Sequence, residues 1–231
     1  TKKCDESSGS DFGGGRMVPY IENNKEYFLI TTSDYSGNNA QDLNSQYGKI
    51  LQISLNEYKY EIFSLGHRNP QGLININNKI ISTEHGPMGG DEINLIKKNS
   101  NYGWKIASYG EPYKNFSNEN DYKLLKSHKK NDFEEPIYAY TPSIGISEII
   151  NINKNFINKW ENNFLITSLN GRSIYRAVFN EYFSKIITQE KIFIGERIRD
   201  IIYDKNNNIF LLSLEDTGSV GVLSKRILTL N

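Results

Sequence analysis

The sequence predicts an all-β fold, a β-propeller of four-stranded antiparallel blades, of which these 231 residues cover about four. Three features carry that expectation. Apolar residues arrive in short β-branched or aromatic bursts without helical spacing. Gly, Asn, Asp or Ser bounds nearly every burst, as turn-forming residues bound strands in all-β chains. One pattern also recurs four times: a glycine-bearing loop, a short strand, an Asn- or Asp-rich turn, and a stronger strand ending in a polar group. Where no insertion intervenes, the period is roughly 45–50 residues, that of a propeller blade. A single sandwich with irregular loops is the alternative.

The strong strands are YFLITTSD (27–34), KIISTEH (79–85), NFLITSLN (163–170) and IFLLSLED (209–216). A Gly-led return strand follows each: GKILQI (48–53), GGDEINLI (89–96), GRSIYRA (171–177) and GSVGVLS (218–224). KIFI (191–194) and IRDIIY (198–203) are further strands, whereas INKNFINKW (152–160) reads as a turn. Residues 1–231 form one propeller domain on this view, with the fourth unit short of its outer strand. The polar segment from Glu111 to Glu135 fits an insertion between the second and third units.

Composition narrows the function classes. Lys+Arg and Asp+Glu number 27 each, and mean hydropathy is −0.58. A chain without basic excess is not built to wrap nucleic acid or coat an anionic membrane. No run approaches the roughly 18 apolar residues of a membrane span. The single cysteine, Cys4, excludes an internal disulfide and a multi-cysteine metal site. GGGR (13–16) lacks the Lys-Ser/Thr of a phosphate-binding loop and leads into a strand.

The glycine-rich loops carry more than solubility requires. GHRNPQGL (66–73) sets His, Arg and Asn beside two turn-formers, and EHGPMGGDEINLI (84–96) repeats the theme. With GGR (14–16), QDLNSQYGKIL (41–51), NYGW (101–104), TPSI (141–144) and GERIRD (195–200), they follow one another in one family's order and spacing. From about Gly13 to Leu223 the chain resembles the soluble glucose/sorbosone dehydrogenases and related aldose sugar dehydrogenases. Those are six-bladed propellers that use pyrroloquinoline quinone (PQQ) and calcium. The resemblance implies oxidation of a sugar's C1 hydroxyl to the lactone, in the periplasm or outside the cell. It implies that Arg68, Asn69, Arg197, Arg199 and Asp34 contact PQQ, an ortho-quinone with three carboxylates that suits bidentate guanidinium donors. It further implies that the carbonyls of Gly86 and Pro87 bind calcium, a hard cation that takes oxygen ligands. Thr141 and Ser143 would line the substrate mouth. His67 and His85 match positions that are not the proton acceptor and are expected to be packed or hydrogen-bonded.

Three departures stand out. The family's general base is a histidine four residues before the Arg of GGR, and that count reaches Phe12, which cannot accept a proton. Asp11 beside it matches an acid that orients the histidine and is the remaining candidate for a weak base. Asn170 stands where one branch of the family has a cofactor-contacting lysine. Six blades of roughly 45 residues also need about 270, so about two blades are expected from a segment before Thr1 or from a partner chain. Two functions follow: a PQQ-dependent sugar dehydrogenase, or a non-catalytic ligand-binding or scaffolding propeller derived from one.

Overall fold

A computed structural model describes residues 13–34, 38–57, 59–113 and 123–225. They form four sheets in chain order. The first contains β1 (Met17–Glu22), β2 (Lys25–Thr32), β3 (Lys49–Ser54) and β4 (Tyr60–Leu65), and β8 (Ser100–Asn101) adds in parallel to the β4 edge. The second is β5 (Pro70–Ile76), β6 (Lys79–Glu84), β7 (Asp91–Ile96) and β9 (Tyr138–Tyr140). The third is β10 (Ile146–Asn151), β11 (Phe164–Ser168), β12 (Ser173–Phe179) and β13 (Ile186–Phe193). The fourth has β14 (Ile198–Asp204), β15 (Ile209–Leu214) and β16 (Ser219–Ser224).

All four strong strands and their return strands are present. The sequence reading left out β1, β4, β5, β8, β9 and β10. Pro19 and Pro70 interrupt the bursts in β1 and β5, and Ser147 with Glu148 breaks the one in β10. Residues 111–135 correct an expectation: they precede β9, so they interrupt the second sheet instead of separating it from the third. INKNFINKW is a turn followed by one short 3-10 turn at Asn158–Trp160. Two hairpins are closed by Asn pairs, Asn23–Asn24 at φ 51° and 60° and Asn77–Asn78 at φ 51° and 63°. Two-residue loops with both central φ positive match the right-handed strand twist, and Asn tolerates that region best among non-glycines.

Adjacent residues of the middle sheets face different cores. Ile80 packs with Leu29, Ile50, Phe63 and Leu73, while its neighbour Ile81 packs with Ile93, Ile146 and Phe164. Ile166 joins that second cluster, and Leu165 turns to Ile174, Ile201 and Phe210 in a third. Successive strand residues point to opposite faces, so three cores lie between four stacked sheets.

The first strands of the sheets, β1, β5, β10 and β14, lie side by side at the inner end of the stack. Arg16, at the entry to β1, spans them. Its Nε lies 2.5 Å from Glu148 Oε2 of β10 and donates to the Gln71 carbonyl of β5, while Nη1 reaches Asp200 Oδ2 of β14 at 3.2 Å. Burial pushes the Glu148 carboxyl up to about 8 against the opposing pull of Arg16.

The two outermost sheets are apolar on their outward faces as well. On the fourth, Ile202, Leu211 and Val222 are cross-strand neighbours, and Ile202, Val220 and Val222 are 55%, 68% and 51% exposed. On the first, Met17 pairs with Ile30 and Pro19 with Phe28, and Met17 and Ile21 are exposed. Strands apolar on both faces are the pattern of sheets covered on both sides.

Three predictions follow. Arg16→Met should lower stability by about 2 kcal/mol, because Glu148, the Gln71 carbonyl and Asp200 lose a shared charged donor. Glu148→Gln should cost less. With its carboxyl raised from 4.5 to about 8, folded Glu148 holds its proton more tightly than the unfolded chain does, so wild type loses stability relative to Glu148→Gln as pH rises through that window. Urea midpoints at several pH values check both. The outward faces predict that the 231-residue chain alone associates. Sedimentation velocity should show concentration-dependent species that Ile202→Lys with Val222→Lys reduces, whereas a concentration-independent monomer would refute it.

Candidate functional site

One end of the stack collects the connections from second to third strand and from each sheet to the next. Asp34, His85, Asn170 and Glu215 follow β2, β6, β11 and β15. Arg68 and Asn69 precede β5, Thr141 and Ser143 precede β10, and Arg197 precedes β14. The repeated topology therefore delivers the polar loop residues of all four units to the same end.

Arg68 is held from three sides. Its backbone N–H donates to Glu84 Oε1, its Nη1 donates to the His85 carbonyl at 3.2 Å, and its guanidinium lies 5.2 Å from the centre of the Trp104 ring. Trp104 Nε1 donates to Asp34 Oδ2 at 2.8 Å, and the Asn39 N–H donates to Asp34 Oδ1 at 2.7 Å. Burial pushes the Asp34 carboxyl up, and these donors hold it back. Asn69 is buried, its Oδ1 accepting from Ser33 Oγ and Gln71 Nε2, each at 2.7 Å. Gln71 Oε1 in turn accepts from Arg199 Nη1 at 3.2 Å, which links Asn69 of the second sheet to the fourth.

Arg197 and Arg199 share one acceptor. Glu215 Oε2 accepts from Arg197 Nε at 2.9 Å, and Oε1 accepts from Arg199 Nε at 2.9 Å. Burial would raise the Glu215 carboxyl, but the two guanidiniums outweigh it and hold it below its usual range. Both arginines thus lie on one side of the strand, as their alternation predicts, and both are paired through a carboxylate the sequence reading did not single out. Asp216 pairs with Arg172 at 2.7 Å beside them.

His67 and His85 behave differently. His67 is fully buried, bonded to Ser64 Oγ at 2.8 Å and Glu84 Oε2 at 3.0 Å, and stacked on Tyr102. That is the structural histidine expected. His85 is packed instead of hydrogen-bonded: among the described residues its buried Nε2 has no hydrogen-bond partner. Burial pulls its imidazole down to about 4, Asp91 opposes, and the charges of Arg68 and Arg199 add to the fall. A neutral ring with an orphaned nitrogen therefore sits within reach of guanidiniums from two sheets.

Gly86 opens a tight loop. Its N–H donates to Asp91 Oδ1 at 3.1 Å, and a side chain there would collide with the carbonyls of Gly89 and Gly90. Among the described residues, no N–H donates to the carbonyls of Gly86 or Pro87, and no group of three or more His, Cys, Asp or Glu is placed to hold a metal. Backbone oxygen is what this loop offers a hard cation. Thr141 is exposed; Ser143 Oγ accepts from the Gly145 N–H at 3.2 Å, and Asn170 Nδ2 reaches the Ser143 carbonyl at 3.5 Å. Phe12 and Asp11 lie outside the described residues.

A model of the glucose/sorbosone dehydrogenases matches residues 2–223. The chain belongs to that family. The aldose sugar dehydrogenase YliI of Escherichia coli is 29% identical over 238 residues, covering 95% of this chain and 62% of its own. Quinoprotein glucose dehydrogenase B of Acinetobacter calcoaceticus is 27% identical over 79% of this chain and 51% of its own. The solved apo form of the E. coli soluble aldose sugar dehydrogenase superposes with a TM-score of 0.74 at 27% identity, covering 91% of this chain and 62% of that one. This glucose/sorbosone dehydrogenase homologue therefore spans about half to three-fifths of these relatives.

Arg16, Gln71, Trp104 and Glu215 are the site's supports that sequence reasoning missed. Each had a signal: Arg16, Gln71 and Trp104 lie in GGR, GHRNPQGL and NYGW, and Glu215 sits in the polar end of the fourth strong strand, as Asp34, His85 and Asn170 do in theirs. The loop that aims the Asn39 N–H at Asp34 has its own anchor. Fully buried Lys49 donates from Nζ to the carbonyls of Asn39, Ala40 and Tyr47 at 2.8, 3.0 and 2.8 Å. Lys49→Met should lower stability by about 3 kcal/mol, since three buried carbonyls lose a charged donor. Hydrogen exchange at the Asn39 amide should rise more than in the β10–β11 core, and uniform acceleration would show that the anchor is not local.

Proposed function

We propose that the chain forms the greater part of a PQQ- and calcium-dependent aldose dehydrogenase that oxidises a sugar's C1 hydroxyl to the lactone. The observation that carries this is the hydrogen-bonded chain from Asn69 through Gln71 to Arg199 across two sheets, with Arg68 beside it on the His85 carbonyl. The donor set fits a polycarboxylate. Glu215 engages the Nε and Nη2 edges of Arg197 and Arg199 and leaves further N–H groups. Arg68, Asn69, Arg197 and Arg199, with Asp34, would hold PQQ, and the carbonyls of Gly86 and Pro87 would hold calcium. When bound, the quinone supplies the hydride acceptor. Thr141 and Ser143 would face the aldose.

What this chain must add is proton removal from the C1 hydroxyl. Phe12 occupies the position of the base, leaving Asp11 as a weak substitute, so turnover is expected to be slow. Phe12 also favours the second reading, a ligand-binding propeller that keeps the pocket without the chemistry. The apolar outward faces of the first and fourth sheets support packing against further blades, from additional chain or from a partner. Periplasmic or secreted placement goes with the dehydrogenase reading. Among the described residues no helix is long and apolar enough to cross a membrane.

Titration of PQQ with calcium, followed by quinone absorbance, tests the pocket. Wild type should bind, and Arg199→Ala should bind at least about tenfold more weakly, the loss of one charged hydrogen-bonded partner. Absence of binding to wild type would overturn the assignment. With an aldose and a dye acceptor, Phe12→His should raise turnover about 10²–10⁴-fold, the range of a positioned base. Binding without turnover in either form would establish the non-catalytic reading.

A further inference from the structure

In the first strand of the second and fourth sheets, the register slips by one residue at the same place. Pro70 pairs with Glu84 and Gly72 with Thr83, while Ile198 pairs with Leu214 and Asp200 with Ser213. Gln71 and Arg199 are therefore the extra residues of two β-bulges, and a bulge re-aims the side chain it carries. The two side chains meet between the sheets, Arg199 Nη1 donating to Gln71 Oε1 at 3.2 Å. Arg16 Nε donates to the Gln71 carbonyl at 3.3 Å and so holds the backbone of the same bulge.

Hydrogen-bond chemistry then fixes each amide along the line. A guanidinium only donates, so the end of Gln71 that meets Arg199 is its oxygen and the other end is its NH2. That NH2 reaches Asn69 at 2.7 Å, so the atom it meets is Oδ1, which also takes the Ser33 hydroxyl at 2.7 Å. With two donors on Oδ1, Asn69 cannot turn its amide over without setting NH2 against NH2. Among the described residues, no acceptor meets Asn69 Nδ2. Gln71 and Glu215 engage Arg199 at Nη1, Nε and Nη2 and still leave N–H groups on both terminal nitrogens.

We infer that Gln71 is a positioning residue, which holds Asn69 with its NH2 and Arg199 with its remaining N–H groups toward a guest that only accepts hydrogen bonds. In the quinone site proposed above, on which this assignment rests, carboxylate and quinone oxygens are such acceptors. An asparagine left to itself presents oxygen or nitrogen, and its oxygen would repel an anion. Gln71 removes that choice before binding, so none of the binding energy is lost to turning the amide. Both ends of the Gln71 amide are engaged by protein groups, so it acts through its neighbours without touching the guest.

The test is Gln71→Glu in the full chain. A carboxylate keeps Arg199 as a partner but only accepts, so Asn69 must turn its NH2 toward it and present oxygen to the guest instead. With calcium present, PQQ followed by quinone absorbance should bind about tenfold more weakly, equivalent to about 1.4 kcal/mol. Asn69→Ala should cost about as much in the wild-type background and nothing further beside Gln71→Glu, because the same donor is lost. Full additivity of the two losses would show that the new carboxylate only repels the quinone, and would overturn the inference. Hydrogen exchange of the side-chain amides, read by NMR without quinone, needs no variant. In wild type the Gln71 NH2 should exchange more slowly than the Asn69 NH2, and Gln71→Glu should slow the latter. The opposite order in wild type would also overturn the inference. If wild type takes up no PQQ, the dehydrogenase reading falls, and the exchange order alone decides the role of Gln71.

Discussion

A sheet that is apolar on both faces has to be covered twice. Nearly everything in this structure follows from that constraint. Ile80 and Ile81, or Leu165 and Ile166, are consecutive residues that serve different cores. Burying both members of each pair stacks sheet upon sheet, and strand twist turns the stack about its inner edge. The inner strands then crowd together, and the crowding is polar. Arg16 meets Glu148, Gln71 and Asp200 there, three groups from three other sheets.

The same stacking explains why a site forms at one end. Each unit closes its strong strand on a polar residue and passes to the next unit through a glycine-bearing loop. Repetition therefore gathers Asp34 of the first unit, Arg68 and His85 of the second, and Arg197, Arg199 and Glu215 of the fourth. The charges are not left exposed to one another. Glu215 bridges two guanidiniums, Trp104 lies under the third, and Gln71 ties Arg199 to Asn69. Lys49 and Glu84 do comparable work a layer lower, one binding loop carbonyls and the other binding His67 and the Arg68 amide. Side chains supported in this way stay aimed, the arrangement that would lower the cost of binding in the function proposed above.

Much of this was legible from sequence. β2, β6, β11 and β15 announce themselves by apolar bursts ending in a polar group, and the period between them identifies the blade. The loop motifs around Arg68, Gly86 and Arg199 mark the end of the stack where the candidate site lies. Strands β1, β5 and β10 were not legible, because inner strands carry Pro19, Pro70, Ser147 and Glu148 for axial and bulge geometry at the expense of pattern. The short β9 was hidden behind the polar segment that precedes it, so that segment looked like a boundary between units.

By itself the sequence determined what local repetition determines: the strands, their order, the four units and the end at which the loops gather. Alternation and turn chemistry act over a few residues, so they can be read along the chain. Only the tertiary structure decided which groups meet. Arg16 and Asp200 are 184 residues apart, Arg199 and Gln71 128, and no local rule links either pair. Those contacts depend on how far each twisted sheet rotates against the next, and so do the missing partner of His85 Nε2 and the uncovered outer faces.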